Sequence, residues 1–511
     1  MAEVDSIAKV LEAGQDDAVA IGAPDGVPPL RYRALRALAQ RTVESLNSLG
    51  VGRNDRVGIV LPNGPEMAAA FVSIAAGATT APLNPGYRAE EFEFYLTDLK
   101  AKALVLEAGS DSPARAVAQK LGVPLIELSP QRDQGAGAFT LKPLAGKRAS
   151  APARLGMGGG DDAALVLHTS GTTSRPKIVP LLQRNVLASA RHIARTLQLT
   201  PDDVCLNIMP LFHIHGLMAA TLSSLAAGGQ VCCAPGFNAL KFFGWLDEVK
   251  PTWYTAVPTM HQAILARAER NQEIVARSKL RFIRSSSSSL PPQVMVELEK
   301  TFGSPVLESY GMTEASHQMA SNPLPPLARK PGSVGIAAGP EVAVMDEQGV
   351  LLPHGAVGEV VIRGPNVTSG YEANPEANAK AFTNGWFRTG DQGVIDDEGY
   401  LRLTGRLKEL INRGGEKFSP LEVDEVLMDH PAVQQCVTFA VPHDKLGEEV
   451  AAAVVLREGQ TCTDRELREF AEKRLADYKV PRKILFLAEI PKGATGKLQR
   501  IGLAAKLGLG T

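Results

Sequence analysis

The sequence has no surplus of charge of either sign. Its 54 lysines and arginines are balanced by 55 aspartates and glutamates, which leaves a net charge of −1. Proteins that bind nucleic acids usually carry a basic surplus, and partners of basic proteins carry acidic tails. The balance therefore argues against a nucleic-acid partner and against an acidic tail that recruits a basic protein.

Cysteine is scarce, and long apolar runs are missing. Five cysteines without C-x-x-C spacing predict reduced thiols, no zinc site and a cytoplasmic location. The first residues include acids and lack the apolar segment of a secretory signal. The most apolar stretch, from Met67, is rich in alanine and interrupted by Gly77. We therefore expect a buried helix followed by a strand, and no membrane span.

The order of apolar patterns predicts an α/β fold. Up to about residue 330, strand-like runs such as VGIVLP (57–62) alternate with helical patterns, which predicts parallel sheets covered by helices. From about residue 335, short strands between glycine-rich turns predict an antiparallel or β-barrel-like subdomain. We expect a large N-terminal domain over residues 1–404, a hinge over 405–409 and a small, mobile α+β domain over 410–511.

One segment, TSGTTSRPK (169–177), gathers hydroxyl side chains, a glycine and Lys177 after a strand-like run. Hydroxyls, backbone N–H groups in a tight turn and a lysine suit a polyphosphate. The G-x-x-x-x-G-K-[ST] spacing of a Walker A loop is absent. By itself the segment is equally compatible with a surface turn rich in serine and threonine.

Three further segments carry candidate residues. In ESYGMTEA (308–315), Tyr310 could stack on a base, Thr313 could bond a phosphate, and Glu314 could hold Mg²⁺ through oxygen. In GWFRTGDQG (385–393), Asp391 could accept both hydroxyls of a ribose. In PKGATGKLQR (491–500), Lys497 lies in a glycine-flanked loop. The alternatives are a buried tyrosine at a strand end, a turn aspartate and a solvated basic tail.

These segments, together with PLFHIHGL (210–217) and GRLKELINRGGEK (405–417), resemble the adenylate-forming acyl-CoA synthetases, which are relatives of 4-coumarate–CoA ligases and luciferases. The resemblance covers nearly all of residues 30–503. It implies that the carboxylate of an acid attacks the α-phosphorus of ATP, giving acyl-AMP and pyrophosphate, and that the thiol of CoA then displaces AMP. The implied cofactors are ATP, CoA and Mg²⁺.

The resemblance also implies a role for each matched residue. Lys497, His213 and Glu314 are the implied catalytic residues, and Glu314 is the implied ligand of Mg²⁺. Lys408 matches a hinge, about which the small domain turns so that Gly414 and Gly415 serve the reaction with CoA. The implied ATP- and AMP-binding set is Thr169, Ser170, Gly171, Thr172, Thr173, Lys177, Ser309, Tyr310, Gly311, Met312, Thr313, Asp391 and Arg406.

Two positions depart from the family pattern, because many relatives have glycine where this sequence has Ser174, and most have glycine where it has Ile178. Serine is small and polar, so Ser174 is a mild change. A β-branched residue does not readily adopt a positive φ. If the family glycine needs a positive φ, the loop must be reshaped at Ile178.

The nature of the acid is indicated by RSSSSSL (284–290) and by ASHQM (315–319). Hydroxyls and an imidazole suit a small polar acid, because a fatty acid would leave them unpaired at a cost of ~1–3 kcal/mol each. The segments TSGTTSRPK, with Ser174 and Arg175, and TEASHQMASNPLP (313–325) resemble the oxalate–CoA ligase branch of the family. This resemblance implies that oxalate binds near His213, Ser287 and His317. We expect Arg284 to lie outside the pocket, because strand alternation directs it away from Ser285.

Three alternatives stay open at this point. The chain could be an aryl or short-chain acyl-CoA ligase, a stand-alone adenylation domain that loads a carrier protein, or a nucleotide-binding regulator without activity. The sequence contains no carrier-type D-S-L segment, which favours CoA over a carrier. A monomer or a homodimer is expected.

Overall fold

The protein is described here by a computed structural model over residues 6–144, 151–169, 176–493 and 496–510. Within these ranges the strands form four sheets. Two of the sheets have parallel centres, and two are mainly antiparallel. The predicted α/β class is therefore confirmed, and the fold also contains a small C-terminal domain.

The first parallel sheet has seven strands among the described residues, and its two edge pairs are antiparallel. Its inner strands are apolar and almost wholly buried, as expected for strands covered by helices on both faces. In spatial order the strands are Phe139–Pro143, Leu125–Pro130, Ala103–Glu107, Arg56–Val60, Thr79–Pro82, Ala163–His168 and Ile178–Leu182.

The second parallel sheet brings three of the sequence motifs to one edge. Its parallel strands Val204–Asn207, Phe282–Ser286 and Val306–Met312 end where PLFHIHGL, the serine run and the T-E pair begin. Carboxyl ends of parallel strands meet at one edge, which is where ligands bind in such sheets. In spatial order the strands are Ile336–Ala337, His317–Ser321, Val306–Met312, Phe282–Ser286, Trp253–Ala256, Val204–Asn207, Gln230–Cys233, Val19–Gly22 and Leu30–Arg31.

The helices cover these sheets, and six of them begin with proline, whose fixed φ and missing N–H suit the first turn. Helix Pro65–Ala75 is buried along its whole length, which confirms the buried helix expected around Met67. Across the described ranges, no helix is both long and apolar enough to cross a membrane. The α-helices are Ile7–Val10, Tyr32–Ser48, Pro65–Ala75, Ala89–Asp98, Pro113–Leu121, Gln183–Thr196, Ser223–Ala226, Phe242–Val249, Pro258–Ala268, Gln272–Arg277, Pro292–Phe302, Pro375–Ala381, Pro420–Met428, Asp464–Glu472 and Leu503–Lys506.

The region after residue 335 is antiparallel, as predicted from its glycine-rich turns. Its sheet pairs five strands, all antiparallel: Glu341–Met345, Val357–Arg363, Trp386–Ile395, Phe382–Thr383 and Leu401–Arg406.

The small C-terminal domain has its own sheet and its own apolar core. Helices Pro420–Met428 and Asp464–Glu472 contribute Val423, Leu427 and Leu467 to that core. The sheet is formed by Glu416–Phe418, Ile411–Arg413, Gly447–Leu456, Val433–His443 and Lys483–Phe486. The α+β character predicted for this part of the chain is confirmed.

Candidate active site

Tyr310, Asp391 and Arg406 form one compact group. Asp391 and Arg406 face each other across the antiparallel strands Trp386–Ile395 and Leu401–Arg406. Arg406 Nε donates to Asp391 Oδ1 at 3.0 Å, and Tyr310 Oη donates to Asp391 Oδ2 at 2.5 Å. Burial, reinforced by the Asp391 charge, raises the pKa of Tyr310 well above its usual range, so the phenol stays a donor. Three separate motifs thus meet at one carboxylate.

Glu314 and Lys177 are brought together by Tyr371, a residue that the sequence reasoning missed. Glu314 lies in the 3₁₀ turn Thr313–Ala315, and its Oε1 accepts a hydrogen bond from Tyr371 Oη at 2.8 Å. Lys177 Nζ lies 4.3 Å from the centroid of the Tyr371 ring. Burial raises the pKa of Glu314, while the Tyr371 hydrogen bond and the Lys177 charge oppose the rise. The only sequence signal for Tyr371 was an aromatic residue beside a glycine.

The two ends of the TSGTTSRPK segment are joined by two hydrogen bonds between Thr169 and Lys177. Thr169 N donates to Lys177 O at 2.9 Å, and Lys177 N donates to Thr169 Oγ1 at 3.2 Å. Four predicted phosphate-binding residues and Ser174, which differs from the family pattern, lie outside the described residues. The four are Ser170, Gly171, Thr172 and Thr173.

Ile178 opens the strand Ile178–Leu182 and pairs with His168 across that strand. Its side chain is buried and its backbone is extended. An extended residue needs no positive φ, so the condition under which Ile178 would reshape the loop is not met.

The remaining residues of the ESYGMTE motif occupy the end of one strand. Ser309 Oγ lies 3.0 Å from Ser321 Oγ, so this hydroxyl is engaged within the sheet. Met312 and Thr313 are partly exposed at the strand end. Gly311 must be glycine, because an added Cβ would lie 2.0 Å from the carbonyl oxygen of His317.

Lys497 lies near Asp391 and Arg406, whose charges both act on it, and these three residues are called the Lys497 corner below. Burial, followed by the positive charge of Arg406, lowers the pKa of Lys497 to about 8, and Asp391 opposes the change. Burial and the Lys497 charge together lower the pKa of His213 well below its usual range. The amine of Lys497 is therefore mostly protonated at neutral pH, whereas the imidazole of His213 is neutral.

A second histidine of the PLFHIHGL motif, His215, organises the predicted acyl pocket. Its Nδ1 lies 3.0 Å from Ser287 Oγ, and its Nε2 lies 2.6 Å from Thr255 Oγ1. Its ring meets that of His317 edge to face at a centroid distance of 5.0 Å. His215 also begins the π-helical segment His215–Leu222, a feature frequent at functional sites. The sequence reasoning selected His213 from this motif and overlooked His215.

Arg284 lies within this group, which corrects the expectation that it lies outside the pocket. Arg284 Nη1 is 3.3 Å from His215 Nε2, and Nη2 is 3.4 Å from Gln318 Oε1. Alternation along the strand does separate Arg284 from Ser285. Alternation cannot say what packs on each face, however, and the face of Arg284 is the one that holds His215 and Gln318.

The cation of this group, Arg284, has no anionic partner in the part of the chain that the structure describes. Arg284 is fully buried, makes no ion pair with a carboxylate there, and has an unbonded Nε. His317 is 2 % exposed, and both of its ring nitrogens lack a partner among the described residues. Burial lowers the pKa of Arg284 to about 9, so the guanidinium remains charged at neutral pH. A buried unpaired cation is costly, which marks this pocket as a place for an anion.

The backbone that carries His317 is held in an uncommon conformation. Ser316 and His317 have φ values of +49° and +102°. Such values are strained for residues with a Cβ and cluster at functional sites.

Asn366, fully buried, clamps this strained turn. Its side-chain Nδ2 donates to the backbone carbonyl oxygens of Ala315 at 2.8 Å and Gln318 at 3.1 Å, and its backbone carbonyl oxygen accepts from Ser316 Oγ at 2.9 Å. The clamp spans both sides of His317. Sequence reasoning missed Asn366, because a single asparagine after Gly-Pro gives no signal of such contacts.

The predicted hinge and CoA residues lie apart from the buried groups. Lys408 is exposed in the turn after strand Leu401–Arg406. Gly414 and Gly415 form an exposed turn between strands Ile411–Arg413 and Glu416–Phe418, with φ values of +63° and +100°. Both positions favour glycine for conformational reasons. In this orientation of the small domain, the buried corner holds Lys497 and the two glycines face solvent.

Comparisons with known proteins give matches along most of the chain. The family model described as AMP-binding enzyme matches residues 4–372, and the model described as AMP-binding enzyme C-terminal domain matches residues 422–497. An oxalate–CoA ligase of Arabidopsis thaliana is 47% identical over 92% of both chains. An oxalate–CoA ligase of Saccharomyces cerevisiae is 43% identical over 95% of this chain and 94% of the other.

Solved structures lead to the same family. The crystal structure of ATP-bound MatB from Rhodopseudomonas palustris superimposes with a TM-score of 0.86 at 30% identity, covering 97% of both chains. A benzoate CoA ligase from Burkholderia xenovorans LB400 gives a TM-score of 0.84 at 26% identity, covering 98% of this chain and 99% of the other. With two family models matched along its length and relatives this similar, the chain belongs to the AMP-binding enzyme family.

Proposed function

We propose that the protein activates oxalate with ATP and transfers the oxalyl group to CoA, releasing AMP and pyrophosphate. Family membership and the similarity to oxalate–CoA ligases support ATP-dependent activation of an acid and its ligation to CoA. The observation that carries the choice of oxalate is the buried Arg284, which lies beside His215 and near His317 without a carboxylate partner among the described residues.

A dicarboxylic acid fits this pocket better than a monocarboxylic one. One carboxylate must reach the phosphate, and a second would meet the charge of Arg284 and the free nitrogens of His317. An aryl or alkyl tail in the same place would leave these groups buried and unpaired. The Lys497 charge acts on both His215 and His317, so the acid pocket adjoins the Lys497 corner.

Ser287 is prepared to donate to that second carboxylate. A guanidinium only donates, so His215 Nε2 accepts from Arg284 and the ring proton resides on Nδ1. Nδ1–H then donates to Ser287 Oγ at 3.0 Å. The hydroxyl hydrogen of Ser287 is therefore directed elsewhere, where a carboxylate oxygen is a fitting acceptor.

In the first half-reaction, an oxalate oxygen forms a bond to the α-phosphorus as the bond to pyrophosphate breaks. We assign Asp391 and Arg406 to the ribose, Tyr310 to the adenine, and Lys177 with Thr169 to the phosphates. Lys497 stabilises the charge where the carboxylate meets the phosphate, and removing such a preorganised donor costs about 3–4 kcal/mol. In the second half-reaction, the CoA thiol releases its proton to solvent, its sulfur bonds the acyl carbon, and the carbon–oxygen bond to AMP breaks, so that AMP leaves.

Glu314 is the residue that we assign to Mg²⁺. The described residues contain no group of three or more His, Cys, Asp or Glu side chains placed to hold a metal ion. A single buried carboxylate still fits, because Mg²⁺ keeps several waters and takes most of its ligands from nucleotide phosphates. When bound, Mg²⁺ neutralises phosphate charge.

The same proposal includes the domain division. Residues 1–404 bind ATP and the acid, residues 405–409 with Lys408 are the hinge, and residues 410–511 move. The exposed Gly414–Gly415 turn supports this, since two glycines leave room for a pantetheine arm once the domain has turned. A cytoplasmic location and a monomeric or dimeric state remain predictions.

A panel of acids tests the proposal. AMP formation is followed with ATP, CoA and either oxalate, malonate, acetate, benzoate or a long fatty acid. Oxalate is expected to give the highest kcat/KM, by about tenfold or more over acetate, benzoate and the fatty acid, since these three leave buried groups unpaired. Malonate also brings a second carboxylate, so its margin below oxalate measures only the fit of the extra carbon. Equal activity on long fatty acids or benzoate contradicts the proposal. Acyl transfer to a carrier protein but not to CoA favours the stand-alone adenylation domain instead.

A further inference from the structure

Helix Pro258–Ala268 of the large domain holds the loop that carries Lys497. Thr259 Oγ1 donates to the carbonyl oxygen of Gly496 at 2.7 Å. Gly496 directly precedes Lys497 and has a φ of +79°. This hydrogen bond therefore fixes the peptide next to the lysine, and Thr259 itself is 9% exposed.

The same helix makes a second contact one turn further on. Gln262 Nε2 donates to the carbonyl oxygen of Gln434 at 3.0 Å, and Gln262 Oε1 accepts from Gln435 Nε2 at 2.9 Å. Gln262 and Gln435 are 8% and 9% exposed. Residues three apart lie on one helix face, so Thr259 and Gln262 form a continuous polar strip against the small domain.

Other polar contacts between the domains are weaker. Arg457 Nη1 and Glu297 Oε2 are 4.0 Å apart with both side chains more than two-fifths exposed. Gln293 and Asp429 bond on the surface. Exposed pairs of this kind contribute little, because water and salt screen them. Among the hydrogen bonds between the two domains in the described residues, those made by helix Pro258–Ala268 are the least exposed.

We propose that Thr259 and Gln262 form a docking strip that holds the small domain in the orientation for acyl-AMP formation. The strip rests on the proposed function, because it regulates the first half-reaction of that function. Thr259 is a positioning residue that acts through the Lys497 loop. Undocking must break three hydrogen bonds, one of them buried and two partly buried, so the strip also sets how readily the domain turns toward the reaction with CoA.

Thr259→Val tests the strip, because valine keeps the shape and removes the donor. Acyl-AMP formation is measured as pyrophosphate release in a single turnover, and thioester formation is measured from supplied acyl-AMP. We expect the first rate to fall about tenfold and the second to stay equal or rise. Thr259→Ser should keep the first rate near that of the unaltered enzyme, since serine retains the hydroxyl. Gln262→Met should act in the same direction.

Thr42→Val is the matched control, because Thr42 is a buried threonine of helix Tyr32–Ser48. It should change neither rate. Equal loss of both half-reactions in Thr259→Val, or no loss in either, overturns the docking strip. The assays use whichever acid gives AMP with the unaltered enzyme. Inactivity on oxalate therefore overturns the choice of substrate, whereas the strip is judged by the ratio of the two rates.

Discussion

The nucleotide end and the acid end of the site differ in whether their charged side chains have partners within the protein. At the nucleotide end, Asp391 is bonded to both Arg406 and Tyr310, and Glu314 is bonded to Tyr371. At the acid end, Arg284 and His317 are buried without an anion among the described residues. Among the described residues, the carboxylates at the nucleotide end already have hydrogen-bond partners, whereas the buried cation at the acid end has no counter-charge.

The difference shows where binding energy and selectivity reside. Paired groups at the nucleotide end are held in place by the protein, so they provide shape for a common ligand. Burying a cation without an anion costs free energy, and binding an anion removes that cost. A neutral ligand group in the position of the anion leaves the cost in place. Selectivity for the acid is therefore expected to be sharper than selectivity for the nucleotide.

The largest expected effect is at Lys497, which lies between the two ends. Lys497→Ala should lower acyl-AMP formation about 10²–10³-fold, because a preorganised cation at the developing charge is lost. Thioester formation from supplied acyl-AMP should remain largely intact. Lys492→Ala is the control, since Lys492 Nζ pairs with Glu489 at 2.7 Å on the surface. If both half-reactions fail alike, the role assigned to Lys497 is wrong.

Arg284→Met tests the incomplete end directly. We expect kcat/KM for oxalate to fall about 10- to 100-fold, the scale of hydrogen bonds to a charged group, with the KM for ATP little changed. The melting temperature should not fall, because the variant removes a buried charge without an ionic partner in the described structure.

Arg281→Met is the contrasting variant. Arg281 Nη1 lies 2.6 Å from Asp203, whose side chain is 4% exposed. Removing Arg281 leaves that buried carboxylate without its counter-charge, so stability should fall while oxalate selectivity stays. A loss of stability in Arg284→Met as large as that in Arg281→Met would show that Arg284 is structural.

Asn366→Ala addresses the strained turn at the acid end. The clamp on His317 is lost, so kcat/KM for oxalate should fall about tenfold, and His317→Ala should show the same selective loss. The KM for ATP serves as the internal reference. Asn322→Ala is the control, because Asn322 is equally buried and bonds Ser333 and Lys330 instead. Equal loss of selectivity in both asparagine variants contradicts the clamp.

The smallest expected effect is a dependence on pH. The pKa of Lys497 is lowered to about 8, so its ammonium is charged below that pH and loses its charge above it. The kcat/KM of acyl-AMP formation should therefore be about fourfold lower at pH 8.5 than at pH values well below 8. This ratio is the one to measure, because it reports ionisations of the free enzyme. Lys497→Arg, which stays charged, should retain a flat residual profile. A flat profile in the unaltered enzyme contradicts a catalytic charge on Lys497.

Local patterns predicted most of the fold. Strand Arg56–Val60, helix Pro65–Ala75 and strand Leu401–Arg406 follow their apolar patterns and turn residues closely. The family motifs likewise selected Tyr310, Asp391 and Arg406, which the structure joins at one carboxylate. The helices and strands depend on neighbours within a few residues, which a single sequence contains. The three site residues came from the resemblance to the family, and only the structure shows that they meet.

The residues that sequence reasoning missed act across long distances along the chain. Tyr371 joins Glu314 to Lys177, and Thr259 holds a loop that lies 237 residues further on. Arg284 was misplaced because alternation gives the face of a strand and not the elements that cover it. Nothing local marks such residues.

The sequence alone determined the class of fold, the order of the motifs and the chemistry that their side chains offer. The tertiary structure alone decided which of those side chains meet, and which charges are left without a counter-charge. The reason is physical: a pattern of three or four residues controls backbone shape, but pairing and desolvation depend on what packs against each face.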